Sequence, residues 1–273
     1  MISFLLALFL AFLVWTGNIL PAQAAFNLSD LTGSPQVSPP NSLEELRSQA
    51  FAATNSGDFS TAEQYWTKLI EQLPEEPAIW SNRGNARVSQ NKLEEAIADY
   101  DQAIALAPEA PDPYLNRGTA LEGLGRWEEA IADYNRVLEL DPQDPAAFNN
   151  RGNAEAGMGE WEEAIVDYRK AADMAPEFAF ARANYALALY QVGQISEAIR
   201  TMKNLVRKYP QFADMRAALT AALWVTGNQG EAESNWVAAV GLDRRYKDLD
   251  WVAHTRRWSP AMVTALEKFL KLQ

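Results

Sequence analysis

The sequence predicts an all-α fold: a solenoid of six 34-residue helical hairpins closed by a C-terminal capping helix. Three observations predict it. Alanine recurs every 34 residues, at Ala62, Ala96, Ala130, Ala164, Ala198 and Ala232. A proline closes five units in the same register, at Pro74, Pro108, Pro142, Pro176 and Pro210. A large residue follows each alanine by four positions: Trp66, Tyr100, Tyr134, Tyr168, Met202 and Trp236. A fixed period of this length marks stacked units, each unable to bury its apolar face alone.

The units run 43–76, 77–110, 111–144, 145–178, 179–212 and 213–246. Ser42 followed by Glu45 is a capping box that starts the first helix. The first helix of each unit ends at Gly57, Asn91, Gly125, Gly159, Gly193 or Gly227, residues that tolerate a left-handed backbone. The second helix begins with acids that favour its macrodipole, as in Glu94-Glu95, Glu128-Glu129 and Glu162-Glu163. It stops before the proline. Slot eight of the unit holds Ala50, Gly84, Gly118, Gly152 or Ala186, and slot twenty the invariant alanine. Both are places where two helices cross closely and only a small side chain fits. Slot seven holds Arg83, Arg117 and Arg151, and slot twenty-three of the same units holds Asp99, Asp133 and Asp167. The other units change both together, which predicts an Arg–Asp pair inside each middle unit. A partly exposed pair contributes only ~0.2–1 kcal/mol.

Residues 247–273 form the capping segment. Ser259 is suited to an N-cap and Pro260 to the first helical position. Met262, Val263, Leu266, Phe269 and Leu270 make an apolar stripe. This helix covers the end of the array, as solenoid termini require. Before it, Trp251 to Trp258 carries Arg256-Arg257. Either both tryptophans pack on the last hairpin with the arginines solvated or paired, or the spot contacts an acidic partner or lipid head groups.

The slots together resemble the tetratricopeptide-repeat (TPR) family, over residues 43–246. The resemblance implies a right-handed solenoid in which each unit's first helix lines a concave groove. Slots two, five, six, nine, twelve and thirteen face that groove. Slot six reads Asn82, Asn116, Asn150 and Asn184; slot nine adds Asn85 and Asn153, and slot five Asn149. Carboxamides both donate and accept, so such a ladder can hold a peptide backbone without reading its sequence. The competing reading is that these asparagines tie neighbouring helices together. The lysines and arginine of the carboxylate clamp found in some TPR proteins are absent, which makes an anionic chain end a poor groove ligand. Toward the C-terminus the groove slots turn apolar, with Phe180, Leu187, Tyr190, Trp224 and Val225. Phe180, Tyr190 and Trp224 would supply specificity if open. Residues 179–273 resemble exported TPR proteins of cyanobacteria and chloroplasts. That implies a thylakoid lumen or periplasm, and a part in building or maintaining photosynthetic complexes.

Residues 1–24 read as a signal peptide or an N-terminal membrane anchor. Ile2 to Val14 is almost wholly apolar and Ala22-Gln23-Ala24 is a small-residue cleavage site. Alternatively, residues 2–20 span a thin bilayer of ~27 Å and associate the chain with a membrane. Both readings export the repeats, since no basic residue before Arg47 holds them back. Residues 25–42 form a flexible Pro/Ser linker. The chain has no cysteine, which excludes disulfides and a lipid-modified cysteine anchor.

The net charge of −12 argues against nucleic acid as a partner. With no cysteine and a single histidine, His254, neither a Cys/His zinc site nor a cysteine nucleophile is available. No Gly-rich phosphate loop is present. The expectation is a protein that is not an enzyme and needs neither metal nor cofactor. It would be a scaffold binding a peptide segment or membrane-complex subunit in its groove. The alternatives are a homo-oligomeric array whose groove is self-filled, and carboxylate-only catalysis through Asp112 and Glu122.

Overall fold

The computed structural model describes residues 42–272; the readings made for residues 1–41 lie outside them. Among the described residues every regular element is helical. The chain divides between Leu124 and Gly125 into two compact units.

Unit one holds α1 (Leu43–Ser56), α2 (Phe59–Gln72), α3 (Pro77–Ser89), α4 (Leu93–Leu106) and α5 (Pro111–Gly123). Ser42 opens α1 as expected, its hydroxyl accepting from the Glu45 N–H at 3.2 Å. Gly57 and Asn91 both have positive φ, 78° and 61°, so the left-handed turn is made where the sequence placed it. The core is a ribbon of small and large residues: Ala50, Ala62 and Ala96 are fully buried, with Trp66, Leu69 and Tyr100 wedged between helices. Gly84 is small for a measurable reason. A Cβ there would stand 2.7 Å from Tyr100 Cε1, inside van der Waals contact.

Unit two holds α6 (Trp127–Leu140), α7 (Pro145–Met158), α8 (Trp161–Met174), α9 (Ala179–Gln191), α10 (Ile195–Lys208), α11 (Ala213–Val225), α12 (Gln229–Leu242) and α13 (Pro260–Leu270). A short 3₁₀ turn, Arg244–Lys247, and a π turn, Trp251–Thr255, join α12 to α13. The close approach of unit one recurs: a Cβ on Gly152 would lie 2.9 Å from Tyr168. A continuous core runs from Ala164 to Phe269.

The C-terminal helix behaves as the apolar stripe predicts. Met262, Leu266 and Phe269 are fully buried, and α13 packs on α11 and α9. Ser259 stands at the N-cap position, but its hydroxyl does not cap the helix. It donates instead to the Leu187 carbonyl at 3.3 Å, fastening the start of α13 to α9. Gln191 Oε1 accepts from the Ala261 N–H at 2.8 Å, the orphan donor that Ser259 leaves open.

In the tail segment the two arginines differ. Arg256 is paired with an acid: its Nε donates to Asp214 Oδ1 at 2.9 Å, and both side chains are largely buried. Arg257 is exposed, in the left-handed region at φ 54°, with its guanidinium 5.7 Å from the Trp127 ring. Trp258 is buried and Trp251 half-buried.

Candidate functional site

In unit one the asparagines are of two kinds. Asn85, at slot nine, accepts the Tyr100 hydroxyl at 2.7 Å. Burial next to Asp99 pushes that phenol's pKa upward, so it remains a donor. Asn82 and Asn116, at slot six of α3 and α5, are half-buried, and their side chains make no hydrogen bond with another described residue. The two helices that carry them touch. Glu122, on the same side of α5 by its slot, is buried, while Asp112 is exposed. These two acids are ten residues apart at opposite ends of α5, about 15 Å along a helix axis, which is too far for a paired-carboxylate site.

In unit two the ladder is wired to itself. Asn184 donates its Nδ2 to Asn149 Oδ1 and to Asn153 Oδ1, both at 3.1 Å. Asn149 donates to Asn150 Oδ1 at 3.1 Å, and Asn153 also accepts the Tyr168 hydroxyl at 3.0 Å. Asn149 is 3% exposed. Here the reading in which asparagines tie neighbouring helices together describes the geometry. Asn150 keeps its amide nitrogen outside this chain of bonds.

The apolar candidates are mostly covered. Trp224 stacks edge-on against Phe269 of α13 at 5.1 Å. Tyr190 is buried, on the helix whose last turn holds Ser259 and Ala261. Phe180 remains 37% exposed, edge-on to Phe212 at 5.5 Å. Of the three residues expected to supply specificity, only Phe180 is open.

Within each unit an Arg–Asp pair forms, with its carboxylate more deeply buried than a partly exposed pair's. Arg83 grips Asp99 with Nε at 3.0 Å and Nη2 at 2.6 Å, and Arg151 grips Asp167 with 2.6 and 2.8 Å. The two carboxylates are 2% and 5% exposed. Such charge-assisted bidentate bonds hold buried charges that would be costly if left alone.

Two periodic features escaped the sequence reading. The slot-seven arginine also reaches slot twenty-five of the preceding repeat: Arg83 to Thr67, Arg117 to Asp101, Arg151 to Asn135. The slot-four side chain donates back to the preceding proline carbonyl: Trp80 to Pro74, Tyr114 to Pro108, Arg216 to Pro210. Both were signalled by slots conserved in period but changing in chemistry.

Two carboxylates are displaced from the ordinary range. Glu155 on α7 is pushed up to about 7, chiefly by burial and next by Asp167. Its Oε2 is buried without a hydrogen-bond partner. Glu63 on α2 moves the other way, to about 2: burial raises it, but Lys92, Arg87 and Gln90 all donate to it and prevail. Among the described residues no group of acids and histidine is placed to hold a metal, and no helix is long and apolar enough to cross a membrane.

Family models described as "TPR repeat" match residues 84–125 and 123–159, and one described as "Tetratricopeptide repeat" matches 155–223. The chain belongs to the tetratricopeptide-repeat family, whose members are protein-interaction scaffolds, typically without catalytic groups. Among curated relatives, it is 36% identical over 75 residues to tetratricopeptide repeat protein 36 of Bos taurus, covering 26% of this chain and 40% of that protein. It is 33% identical over 63 residues to Hsp70-Hsp90 organizing protein 2 of Arabidopsis thaliana, covering 23% of this chain and 11% of that one. The match thus spans less than half the length of either relative. Among solved structures, the Cut9–Hcn1 complex matches with TM-score 0.67 at 16% identity, over 84% of this chain and 43% of that chain. A TPR protein from Parabacteroides merdae matches with TM-score 0.62 at 20% identity, over 84% and 98%. YrrB, described as a TPR protein with an unusual peptide-binding site, matches with TM-score 0.52 at 21% identity, over 70% and 97%. These structures share the fold.

Proposed function

We propose that this protein is a non-catalytic scaffold that holds an extended peptide segment of a protein partner along the first-helix face of unit one. The carrying observation is the pair Asn82 and Asn116. They occupy one slot on touching helices, half-buried, with both carboxamide functions uncommitted. A carboxamide can donate to a peptide carbonyl and accept from a peptide N–H, so two in register can hold an extended backbone. Asn85, fixed by Tyr100, stiffens the same face. In unit two the equivalent side chains bond to each other, so the peptide reading rests on unit one.

The finer reading is that the repeats are exported, to a thylakoid lumen or periplasm, and that the partner is a subunit of a membrane complex, photosynthetic in kind, under assembly or repair. It is supported by the apolar run Ile2 to Val14, the Ala22-Gln23-Ala24 sequence and the resemblance of residues 179–273 to exported TPR proteins.

The test is a panel of immobilised extended peptides probed with the full-length chain, beside Asn82→Ala/Asn116→Ala. The expected result is saturable binding reduced about tenfold or more in the variant, at unchanged helix content. Binding that is identical in both proteins overturns the reading. Recovery of nothing but the protein itself in a parallel in-cell crosslinking experiment favours the homo-oligomeric array.

A further inference from the structure

The slot-seven arginine fills the same crevice repeatedly. Arg83, Arg117 and Arg151 each extend between their own helix and slot twenty-five of the preceding repeat. In the fifth repeat Tyr185 takes the slot, and Arg169 reaches it from slot twenty-five at 3.1 Å, the same contact with its partners exchanged. In the sixth repeat the pattern breaks. Slot seven is Leu219, slot twenty-three is Asn235 where the middle repeats have aspartate, and slot twenty-five of the preceding repeat is Lys203.

In this repeat an open cleft of about 440 Å³ lies between α10, α11 and α12. Leu219 floors it, Asn235 lines it, and three cations stand around it: Lys203, Arg207 and Arg216. One acid, Glu231, lines it too, bonded to Lys203 at 2.7 Å. Arg216 is held in place by the Pro210 carbonyl at 2.6 Å and by Asn235 Oδ1 at 3.2 Å. Arg207 is exposed and bonds only Asn204 among the described residues. The cleft thus carries an excess of positive charge, with an amide lining it where the middle repeats have an anion.

The surrounding helix has the same sign. α10 carries Arg200, Lys203, Arg207 and Lys208 against one acid, Glu197. The other five second helices, α2, α4, α6, α8 and α12, each carry an excess of acids. In a chain with net charge −12, this is a local inversion. Local positive potential in a concave site concentrates anionic ligands.

We propose that this cleft is a second binding site, separate from the asparagine face, and that it takes carboxylate side chains of an acidic protein segment. A carboxylate entering it meets Arg207 and Arg216, whose planar donors suit a bidentate partner. It can displace Glu231 from Lys203, while Asn235 stays tied by its Nδ2 to the Glu231 carbonyl at 2.9 Å. None of the asparagines of the ladder lines the cleft. No large apolar side chain of α10 is exposed, so the helix has nothing to insert into a bilayer, which favours an acidic peptide over a lipid surface.

The full-length chain would be titrated into a fluorescein-labelled hexaglutamate peptide, with a hexaglutamine peptide as control. Two variants accompany it. Lys203→Gln/Arg207→Gln removes charge at the rim. Leu219→Arg/Asn235→Asp replaces a buried leucine with the slot-seven arginine and restores the Arg–Asp pair of the middle repeats, filling the cleft. The expected result is salt-sensitive binding of hexaglutamate alone, weakened about tenfold or more in both variants, with melting temperature maintained in the second. Equal binding by the wild type and the cleft-closing variant overturns the proposal, as does failure to bind hexaglutamate at low salt. Free glutamate or inorganic phosphate competing at the peptide's own concentration overturns the assignment to a protein segment. So does binding of phosphatidylglycerol vesicles that the cleft-closing variant abolishes and that hexaglutamate fails to displace.

Discussion

Trp258 donates its indole N–H to Asp214 at 3.0 Å, across 44 residues of chain. The same carboxylate oxygen accepts the Tyr246 hydroxyl at 2.8 Å and Arg256 Nε at 2.9 Å. Asp214 sits in the first turn of α11 and is 5% exposed. One side chain therefore anchors three points of the segment that leads to α13. The guanidinium of Arg256 supplies the compensating charge, and its own pKa is pushed further up by that contact.

Replacing Asp214 leaves Arg256 largely buried without its anion and two ring donors without an acceptor. Removing one partner of a buried pair costs about 3–5 kcal/mol. Asp214→Ala is expected to lower stability by that amount. Asp214→Asn, which keeps an acceptor but loses the charge, should fall between it and the wild type. Urea unfolding followed by tryptophan fluorescence checks this. Equal stability of all three proteins would mean that the tail is held by apolar packing alone.

The Arg151–Asp167 pair makes a sharper comparison, because its value depends on what replaces it. Arg151→Leu leaves the Asp167 carboxylate, 5% exposed, facing a methyl group. It is expected to cost about 3–5 kcal/mol. Adding Asp167→Asn removes the stranded charge, so the double variant should recover at least about 1 kcal/mol relative to Arg151→Leu. Denaturant midpoints for the four proteins of the cycle decide it. A double variant as unstable as the sum of the singles would show that the two side chains act independently.

The features legible in the sequence were those with a local cause. Gly57, Asn91 and Gly125 announce left-handed turns because backbone sterics act within one residue. Gly84 and Gly152 announce close approach because Tyr100 and Tyr168 recur sixteen residues later in the same register. The covariation of slots seven and twenty-three disclosed the Arg–Asp pairs for the same reason. The burial of those pairs was not legible, since it depends on neighbouring repeats. Nor was the wiring of Asn184 to Asn149 and Asn153, where one alternative, tie or ladder, fits the same residues. Asp214 was hidden more deeply. Its partners lie 32 to 44 residues away in a segment with no repeat to define a register. Ser259 shows the opposite error: a good local cap was overridden by a tertiary acceptor, the Leu187 carbonyl.

Glu155 and Glu63 make the pH dependence run in opposite senses. Glu155 has a folded-state pKa of about 7, above its ordinary value of 4.5. The native protein therefore holds the proton more tightly than the unfolded chain. Its contribution is full below pH 4.5 and is lost as pH rises through 7. Glu63, held at about 2, contributes fully above pH 4.5 and loses that contribution as pH falls toward 2. Charged groups acting on Glu155 are Asp167, Arg151, Glu163 and Glu160. Glu155→Gln should stabilise the protein by about 1–3 kcal/mol at pH 8 and have little effect at pH 4. Glu63→Gln should destabilise it at pH 8. Melting temperatures across that range measure both, and a pH-independent effect of Glu155→Gln would contradict the raised pKa.

The place of α13 yields a prediction about the surface beneath it. Phe269 is fully buried, edge-on to Trp224 at 5.1 Å and to Trp236 at 5.2 Å. Truncating so large a buried ring costs about 3–5 kcal/mol, through lost transfer energy and the cavity left behind. Phe269→Ala is expected to destabilise by that amount and to redden tryptophan emission, since both indoles lose their cover. Ending the chain before Ser259 goes further. It uncovers the α9 and α11 faces that α13 now buries and should induce binding of an apolar dye. The ladder asparagines of unit two bond among α7, α9 and the Tyr168 hydroxyl of α8, so they should survive the truncation. Native-state hydrogen exchange separates these regions: protection should fall in α11 and α12 and persist in α7 and α8. Dye binding without loss of protection in α11 would mean that α13 only shields a preformed surface. Loss of protection in α11 without dye binding would mean that the terminal hairpin unfolds when its cap is removed.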